Sequence, residues 1–349
     1  MTGEMTPAER TAVTMGFEEP DRVPLFLLFT IYGAKELGLS IRDYFSRPEY
    51  VAEGQMRLQK KFGGDCLNPF CYAAVEVEAW GGEVIFSEIG PPNAGRPPIR
   101  SPEEIESLEV PLVEESPGLL FGLRTIELLK KEVGDDVPIM GSVVSPFSLP
   151  VMQLGFDAYL DLLYGEPDLF WTLMKKNEEF CVEWANAQVE AGATAVGYAD
   201  PLASPDMIPR DLYRRTGFVV ARRTIPRIEA GVATSLASAR ALPVIDDLAG
   251  TGSVGVGVSA FDDLATVKRQ CAGRLTVLGN LNAIEMRRWT PAQAEAEVKR
   301  AIAAAGPGGG FVLSDNHGEI PWQVPENVLM AIAAAVRKWG NYPLDWVSG

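Results

Sequence analysis

Short apolar runs alternate with longer stretches of helical periodicity along this chain. This alternation is typical of βα units arranged around a parallel sheet. Each apolar run is short enough to be a buried strand rather than a helix. The eight predicted strands are Val23–Phe29, Cys66–Phe70, Val137–Val144, Ala195–Asp200, Gly231–Ala237, Ser253–Ser259, Leu275–Asn280 and Phe311–Asp315.

Three of the intervening helices carry clear end signals. Leu119–Val133 repeats apolar residues at helical spacing and ends with lysines before a glycine, and Glu178–Ala191 also stops at a glycine. Pro325–Lys338 has proline at its start and a glycine shortly after its end. These signals support helices packed between the strands.

Eight strands with interleaved helices predict an α/β fold, a (β/α)8 TIM barrel in a single domain over residues 1–349. A doubly wound open sheet is the alternative. The 349 residues suit one barrel, and 47% hydrophobic residues provide a large core. The Pro- and Gly-rich segment Glu83–Pro111 is predicted to form an excursion between the second and third strands. In such a barrel the active site lies at the C-terminal ends of the strands.

Charge and cysteine content narrow the class of protein. With 31 Lys and Arg against 47 Asp and Glu, the formal charge is −16, which disfavours nucleic acid and anionic membrane surfaces as partners. No apolar run approaches the roughly 18 residues of a membrane span, and the start shows no signal peptide. Four cysteines without a CxxC pair suggest reduced thiols. A cytoplasmic enzyme is expected, and its oligomeric state is left open.

Polar residues recur where the predicted strands end. These residues are Asp65 and Asn68 around the second strand, Ser145 and Ser148 after the third, Asp200 at the fourth, Asn280 and Asn282 at the seventh, and Asp315 and Asn316 at the eighth. Each one alone could simply cap the helix that follows it. As a set, with Asn280 and Asp315 in apolar surroundings, they favour a pocket for a ligand rich in hydrogen-bond donors and acceptors.

Two further features bear on this pocket. His317, the only histidine, follows the eighth predicted strand in the cluster Ser314–Glu319 and could line the pocket, but no pair of histidines can bind a metal. Glu76 and Glu78 would point the same way on a strand and about 200° apart on a helix, so one of them could face the cavity.

The segment Gly250–Gly255 matches the GxGxxG pattern of dinucleotide sites. That motif must follow a strand and open a helix. Here the predicted helical stretch Pro243–Leu248 precedes it and a strand follows it, so the order is reversed. We predict a tight helix-to-strand turn instead of a phosphate site.

Several stretches resemble the uroporphyrinogen decarboxylase superfamily. They are Thr6–Arg10, Pro20–Pro24, Pro138–Ser148, Ala191–Ser204 and Pro321–Val328. The resemblance spans nearly the whole chain and independently implies the barrel. The superfamily contains decarboxylases and cobamide-dependent methyltransferases, and these two branches must be separated.

Substitutions at the expected motif positions separate the branches. The decarboxylases resemble one another in an arginine-rich substrate-binding segment, whereas this chain has no arginine in Phe26–Gly33. The thiol methyltransferases of the other branch resemble one another in a zinc-binding pattern, His-x-Cys followed by a cysteine much later in the chain. Leu236 and Ser238 stand at the first two of these positions and His317 near the third, so no zinc is expected.

The zinc-free pattern, together with Asp65–Glu76, resembles the methylcorrinoid:tetrahydrofolate methyltransferases of glycine betaine demethylation. A thiol acceptor reacts as a thiolate and gains from zinc, whereas the amine N5 of tetrahydrofolate is already neutral near pH 7. The resemblance therefore implies methyl transfer from a methyl-Co(III) corrinoid to N5 of tetrahydrofolate. A separate corrinoid protein is the expected partner, because this chain lacks an Asp-x-His-x-x-Gly motif.

Under this hypothesis the polar rim binds and orients the pterin. Asp200, Asn280 and Asp315 are the expected catalytic residues, and the wider set of contacts adds Asn68, Glu76, Asn282, Asn316 and His317. Two alternatives remain from the sequence. One is a thiol methyltransferase with an unusual zinc site around His317 and a cysteine, and the other is a non-catalytic barrel that binds pterin or a corrinoid protein.

Overall fold

A computed structural model describes residues 4–69, 72–315 and 318–347. Within these residues, seven parallel strands are hydrogen bonded in the order β1-β9-β8-β7-β6-β5-β4. Helices surround this sheet, as the (β/α)8 barrel prediction requires. The strands are β1 Leu25–Phe26, β4 Met140–Val144, β5 Ala195–Ala199, β6 Gly231–Ser235, β7 Gly255–Gly257, β8 Thr276–Leu281 and β9 Phe311–Asp315.

The prediction that Cys66–Phe70 forms a strand is wrong, although this segment does lie where the second strand of the barrel was expected. The Asp65 amide donates to the Leu25 carbonyl at 2.8 Å, and Leu67 forms an isolated parallel bridge with Ile139. This short segment therefore lies between β1 and β4 and closes the barrel. Pro69 has no N–H to donate, so the ladder stops there. Phe70 lies outside the described residues.

The first predicted strand, Val23–Phe29, is also shorter in the structure. After Phe26 the backbone leaves the sheet because the Leu28 N–H donates to the Asp315 carboxylate at 2.9 Å rather than to a neighbouring strand. The other predicted strands differ at their ends by one to three residues, where loops take over the backbone hydrogen bonds. The exception is the eighth predicted strand, Phe311–Asp315, which coincides with β9.

The three predicted helices are present with longer or shifted bounds. Pro117 starts the first of them, Pro167 starts the second eleven residues before Glu178, and Pro325 caps the third from outside. Proline is well suited to a first helical turn, where its missing N–H has no partner. The helices are α1 Pro7–Met15, α2 Tyr32–Leu37, α3 Ile41–Tyr44, α4 Pro48–Phe62, α5 Ala74–Ala79, α6 Glu104–Ser107, α7 Pro117–Val133, α8 Pro150–Leu154, α9 Phe156–Gly165, α10 Pro167–Glu190, α11 Arg210–Arg215, α12 Gly217–Thr224, α13 Ile245–Ala249, α14 Leu264–Cys271, α15 Pro291–Ala305 and α16 Glu326–Trp339.

The predicted excursion Glu83–Pro111 contains a small antiparallel hairpin, β2 Val84–Ile85 and β3 Asn93–Ala94, followed by α6. The GxGxxG segment forms the predicted turn, since Gly250 follows α13 and Gly255 opens β7. Gly252 has φ of 99°, which glycine adopts without strain. None of the helices in the described part of the chain is both long and apolar enough to cross a bilayer.

The two faces of the barrel wall differ in residue size. In β5, Val196 and Tyr198 point outward and are fully buried against the helices, while Ala195, Gly197 and Ala199 alternate with them and face the bore. The main core therefore lies between sheet and helices. The bore itself is lined by unusually small residues at these positions.

An ionic network fixes the seam at the N-terminal end of the barrel. The Asp65 carboxylate accepts from the Arg10 guanidinium at 2.6 Å, from Arg22 at 2.7 Å and from the Leu25 N–H at 2.7 Å. Arg10 also binds Asp21, with Nε to Oδ1 at 2.6 Å. Burial opposes the charge on Arg10, yet hydrogen bonds to Asp21 and the charges of both aspartates raise its pKa. The motifs Thr6–Arg10 and Pro20–Pro24 thus secure the barrel closure.

We predict that Asp65→Asn destabilises the protein by about 3 kcal/mol, since it leaves two guanidinium groups facing a neutral amide in a buried site. Chemical denaturation monitored by circular dichroism measures this loss. The control is Asp135→Asn, an exposed carboxylate close by, which should leave the denaturation midpoint nearly unchanged. Equal midpoints for the wild type and Asp65→Asn would refute the assigned role of this network.

Candidate functional site at the barrel mouth

The C-terminal ends of the strands surround a cavity of about 80 Å³. The polar residues that line it are Ser142, Thr234, Ser235, Ser314 and Asp315, and Leu28 and Gly318 close one side. Its floor is formed by apolar residues: Phe26, Met140, Ala233 and Leu278. Such a cavity, apolar below with few polar groups at the rim, is typical of a small-molecule site.

Asp315 connects this cavity to the segment that follows β1. It is 5% exposed at the end of β9, where one carboxylate oxygen accepts from the Leu28 N–H at 2.9 Å and the other from the Gly318 N–H at 3.2 Å. These two amide donors hold the carboxylate at the wall of the cavity. Among the predicted site residues that the structure describes, Asp315 is the one that lines this cavity.

Glu319 lies beside Asp315 and was not among the predicted site residues. Its carboxylate accepts from the Thr30 hydroxyl at 2.7 Å. Burial raises the pKa of Glu319 to about 7, and the charge of Asp315 acts in the same direction. Its membership of the polar cluster that follows the eighth predicted strand is the signal that could have found it. Asn316 and His317, between these two carboxylates, lie outside the described residues.

Asp200 lies at a different part of the rim and does not line the cavity. One of its oxygens accepts from the hydroxyls of Ser145 and Ser148, each at 2.7 Å. The other oxygen has no hydrogen-bond partner among the described residues. Burial raises the pKa of Asp200 to about 6, while both serine hydroxyls oppose that rise. The side chain thus ties the loop after β4 to the end of β5.

Asn280 ties neighbouring loops in the same way. Its amide nitrogen donates to the carbonyls of Ser259 at 3.0 Å and Asp262 at 3.4 Å. The Asp262 carboxylate in turn accepts from the amides of Ala241, Leu242 and Ser259. Asn280 and Asp262 therefore connect the loops that follow β6, β7 and β8, and they set the shape of the rim from outside the cavity.

The remaining predicted residues make local backbone contacts. Asn282 accepts from the amides of Ile284 and Glu285, each at 3.1 Å, and so caps the short turn after β8. Asn68 is buried, and its backbone N–H donates to the side chain of Gln55 at 3.2 Å. The structure thus places Asn282 in the capping role that the sequence left open.

Glu76 is buried and Glu78 is exposed, as their opposite positions on α5 require. Glu76 accepts from the Val144 N–H at 2.8 Å, which links α5 to the C-terminal end of β4. Burial raises the pKa of Glu76 to about 8, and the Val144 hydrogen bond only partly opposes that rise. A neutral, protonated Glu76 therefore persists near neutral pH.

The predicted set is dispersed into several groups around the rim. Asp315 faces the cavity, Asp200 and Asn280 brace its loops, and Glu76 supports β4 from the helix side. The predicted site residues omitted four hydroxyl residues that line the cavity, Ser142, Thr234, Ser235 and Ser314. Ser235 follows Thr234 in the fifth predicted strand and Ser314 precedes Asp315 in the eighth, so hydroxyl residues near the strand ends were the available signal.

The residue types at the mouth limit the ligands that it can bind. No lysine or arginine stands among the described residues that line its cavity, so a substrate with several carboxylates would find no counterion there. At the zinc-pattern positions, Leu236 is fully buried in the core and neither Leu236 nor Ser238 offers a zinc donor. No group of three His, Cys, Asp or Glu with metal-site geometry occurs in the described ranges.

Comparison with known proteins gives one family. The profile of the family described as uroporphyrinogen decarboxylase (URO-D) matches residues 6–339. A uroporphyrinogen decarboxylase of Idiomarina loihiensis is 26% identical over 347 residues, 94% of this chain and 92% of that protein. The methylcobamide:CoM methyltransferase MtaA of Methanosarcina barkeri is 26% identical over 310 residues, 86% and 87% of the two chains.

The solved structure of a methyltransferase from Methanosarcina mazei superimposes with a TM-score of 0.85. The superposition covers 96% of this chain and 99% of that one at 23% sequence identity. At this identity the likeness establishes the fold, and it agrees with the barrel built from the strands above.

We predict that the stability of the protein depends on the ionisation of Glu76. Because its folded pKa of about 8 exceeds the value of about 4.5 in an unfolded chain, the folded state binds an extra proton between these values. Its contribution to stability is complete below pH 4.5 and is lost as the pH rises to about 8. Glu76→Gln should therefore remove this decline, measured as the free energy of unfolding at several pH values.

The exposed helical residue Glu183 provides the matched control, and Glu183→Gln should keep the wild-type pH dependence. A parallel decline in wild type and Glu76→Gln would contradict a raised pKa at this position.

Proposed function

This chain belongs to the uroporphyrinogen decarboxylase family, and we propose that it transfers a methyl group from a methylcorrinoid to N5 of tetrahydrofolate. The observation that carries this proposal is the Asp315 carboxylate, held by two backbone amides at the wall of a cavity whose described lining residues include no lysine or arginine. A carboxylate in such a place suits a neutral ligand with adjacent N–H donors. The aminopyrimidinone edge of a pterin has this arrangement of donors.

The size of the cavity indicates how the pterin would lie. A cavity of about 80 Å³ is smaller than the roughly 300–1,000 Å³ of sites that enclose a whole ligand. We therefore infer that only the aminopyrimidinone edge enters, where Asp315 and the hydroxyls of Ser235 and Ser314 can reach it. N5 then stays at the open side of the mouth, where a second large substrate can approach it.

The reaction needs positioning more than acid or base chemistry. The lone pair of N5 forms the new bond to the methyl carbon, the cobalt–carbon bond breaks, and its electron pair stays on cobalt, which becomes Co(I). N5 then loses its proton to a carboxylate of the mouth or to water. The residues of this chain hold N5 in line with the methyl group, which accounts for most of the expected rate gain.

The methylcorrinoid is proposed to arrive on a separate corrinoid protein. This chain has no corrinoid-binding Asp-x-His-x-x-Gly motif, and the mouth cavity is far smaller than a corrinoid ring. The cofactor must therefore meet N5 at the surface of the mouth. The rim loops tied by Asp200 and Asn280 would then set the surface that the partner contacts.

The similarity to MtaA favours a thiol as the second candidate acceptor. A thiol gains most from zinc, which stabilises the thiolate. Leu236 and Ser238 remove two zinc donors at the corresponding positions, so an amine acceptor suits this chain better. Decarboxylation of a porphyrinogen with several carboxylates is disfavoured because the described residues that line the cavity include no lysine or arginine.

We predict that tetrahydrofolate binds the purified protein at one site and that Asp315→Asn raises its Kd about tenfold or more. The change removes a charged acceptor of the pterin N–H groups, worth about 1.5 kcal/mol or more. Isothermal titration calorimetry measures both affinities. The surface variant Asp157→Asn serves as the control and should bind like the wild type. Equal affinities for wild type and Asp315→Asn would remove Asp315 from the pterin site.

A transfer assay decides the acceptor. With methylcobalamin or a methylated corrinoid protein as donor, we expect methyltetrahydrofolate and Co(I) corrinoid in equal amounts, in protein whose zinc content is measured and low. Methylation of a thiol, beside stoichiometric zinc, would overturn the folate acceptor in favour of the second candidate. Carbon dioxide release from uroporphyrinogen would overturn methyl transfer itself.

A further inference from the structure

A second and larger cavity lies at the opposite end of the barrel. Its volume is about 440 Å³, and it extends from the N-terminal face into the bore. It is open to solvent where Gly231 is exposed and Val254 is 37% exposed. Its inner end is formed by residues that also floor the mouth cavity: Phe26, Met140, Ala233 and Leu278.

This cavity exists because the strands place small residues where barrels usually place large ones. The bores of such barrels are filled by layers of branched side chains. Here Ala195 and Gly231 pair in register on β5 and β6, and Ala233 pairs with Gly255 on β6 and β7. The missing side-chain volume on these three adjacent strands leaves the bore open.

Helix α1 forms the outer wall of the cavity. Ala8, Thr11, Ala12 and Met15 occur at helical spacing and all line it. On the opposite face of the helix, Arg10 is bound to Asp21 and Asp65, so α1 is held firmly in place. This stripe of three apolar residues and Thr11 therefore borders the cavity.

Among the described residues that line this cavity, each charged side chain is paired. Asp65 is engaged by Arg10 and Arg22, and Asp135 pairs with Lys130 at 2.5 Å. Thr194 is engaged with the backbone of Ile139. Because an apolar cavity gives water few partners, an uncharged apolar molecule is better suited to it than water or an ion.

We propose that the N-terminal cavity is a binding site for an uncharged, largely apolar small molecule about as large as a substituted two-ring aromatic compound. Its volume lies within the roughly 300–1,000 Å³ range of small-molecule sites. The site lies beneath the mouth and is separated from it by the shared floor residues. It goes beyond the proposed methyl transfer and does not depend on it.

The uncharged probe N-phenyl-1-naphthylamine tests this site by its fluorescence on transfer to an apolar environment. We expect saturable binding to a single site, and weak or no displacement by the charged compound 1-naphthalenesulfonate. Two filling variants place larger side chains in the cavity from different walls, Ala195→Leu in the bore and Ala12→Phe on α1. Each should weaken probe binding at least tenfold. Ala292→Phe on the exposed face of α15 is the matched control and should bind like the wild type.

Xenon-pressurised crystals locate the site directly, and they do not require any variant to fold. Xenon density between α1 and the small residues of β5 to β7 is the expected result. No saturable probe binding, full binding by both folded filling variants, or xenon only at other positions would each overturn the proposal. Tetrahydrofolate titrations on the same variants should be unchanged, which separates this site from the mouth.

Discussion

Closure of the barrel depends on the buried carboxylate of Asp65. The seam between β1 and β4 has almost no ladder of its own, because the segment that lies there contributes one bridge at Leu67. Asp65 compensates by binding the Leu25 amide, which belongs to β1, and the guanidinium groups of Arg10 and Arg22. Backbone pairing and ionic pairing therefore meet in one residue. Wherever a strand is this short, side chains must hold the register that main-chain hydrogen bonds normally hold.

Charged and polar side chains have different roles at the two ends of the barrel. At the N-terminal end, charged groups are paired with one another and hold the fold together. At the mouth, Asp200 and Asn280 bind the loops to each other, and Asp315 is held at the cavity wall by backbone amides. A site whose binding group is fixed by the main chain is positioned before the ligand arrives. Residues of the rim can thus matter to function without touching a ligand.

The sequence predicted the fold well because strand and helix periodicities are local signals. It predicted the positions at strand ends, yet it could not tell which of these side chains face the bore. Asn280 and Asp315 look alike in sequence, but one binds neighbouring loops and the other lines the cavity. That difference depends on the loops after β6 and β7, which are distant in the chain. The second predicted strand does not form because Pro69, a local feature, has no N–H to donate. The pairing of Asp65 with Arg10, in contrast, could be seen only in three dimensions.

The placement of β1 has a consequence for biosynthesis. Leu25 and Phe26 pair with Leu313 and Ser314, and the Val23 amide donates to the Gly340 carbonyl. A ribosome releases the N-terminal partners of these contacts first and the C-terminal partners last. During translation the sheet therefore has an unpaired edge at β8, and the nascent chain cannot complete its barrel until α16 has emerged. Contacts of such large sequence separation slow folding, because the chain must close a long loop before they can form.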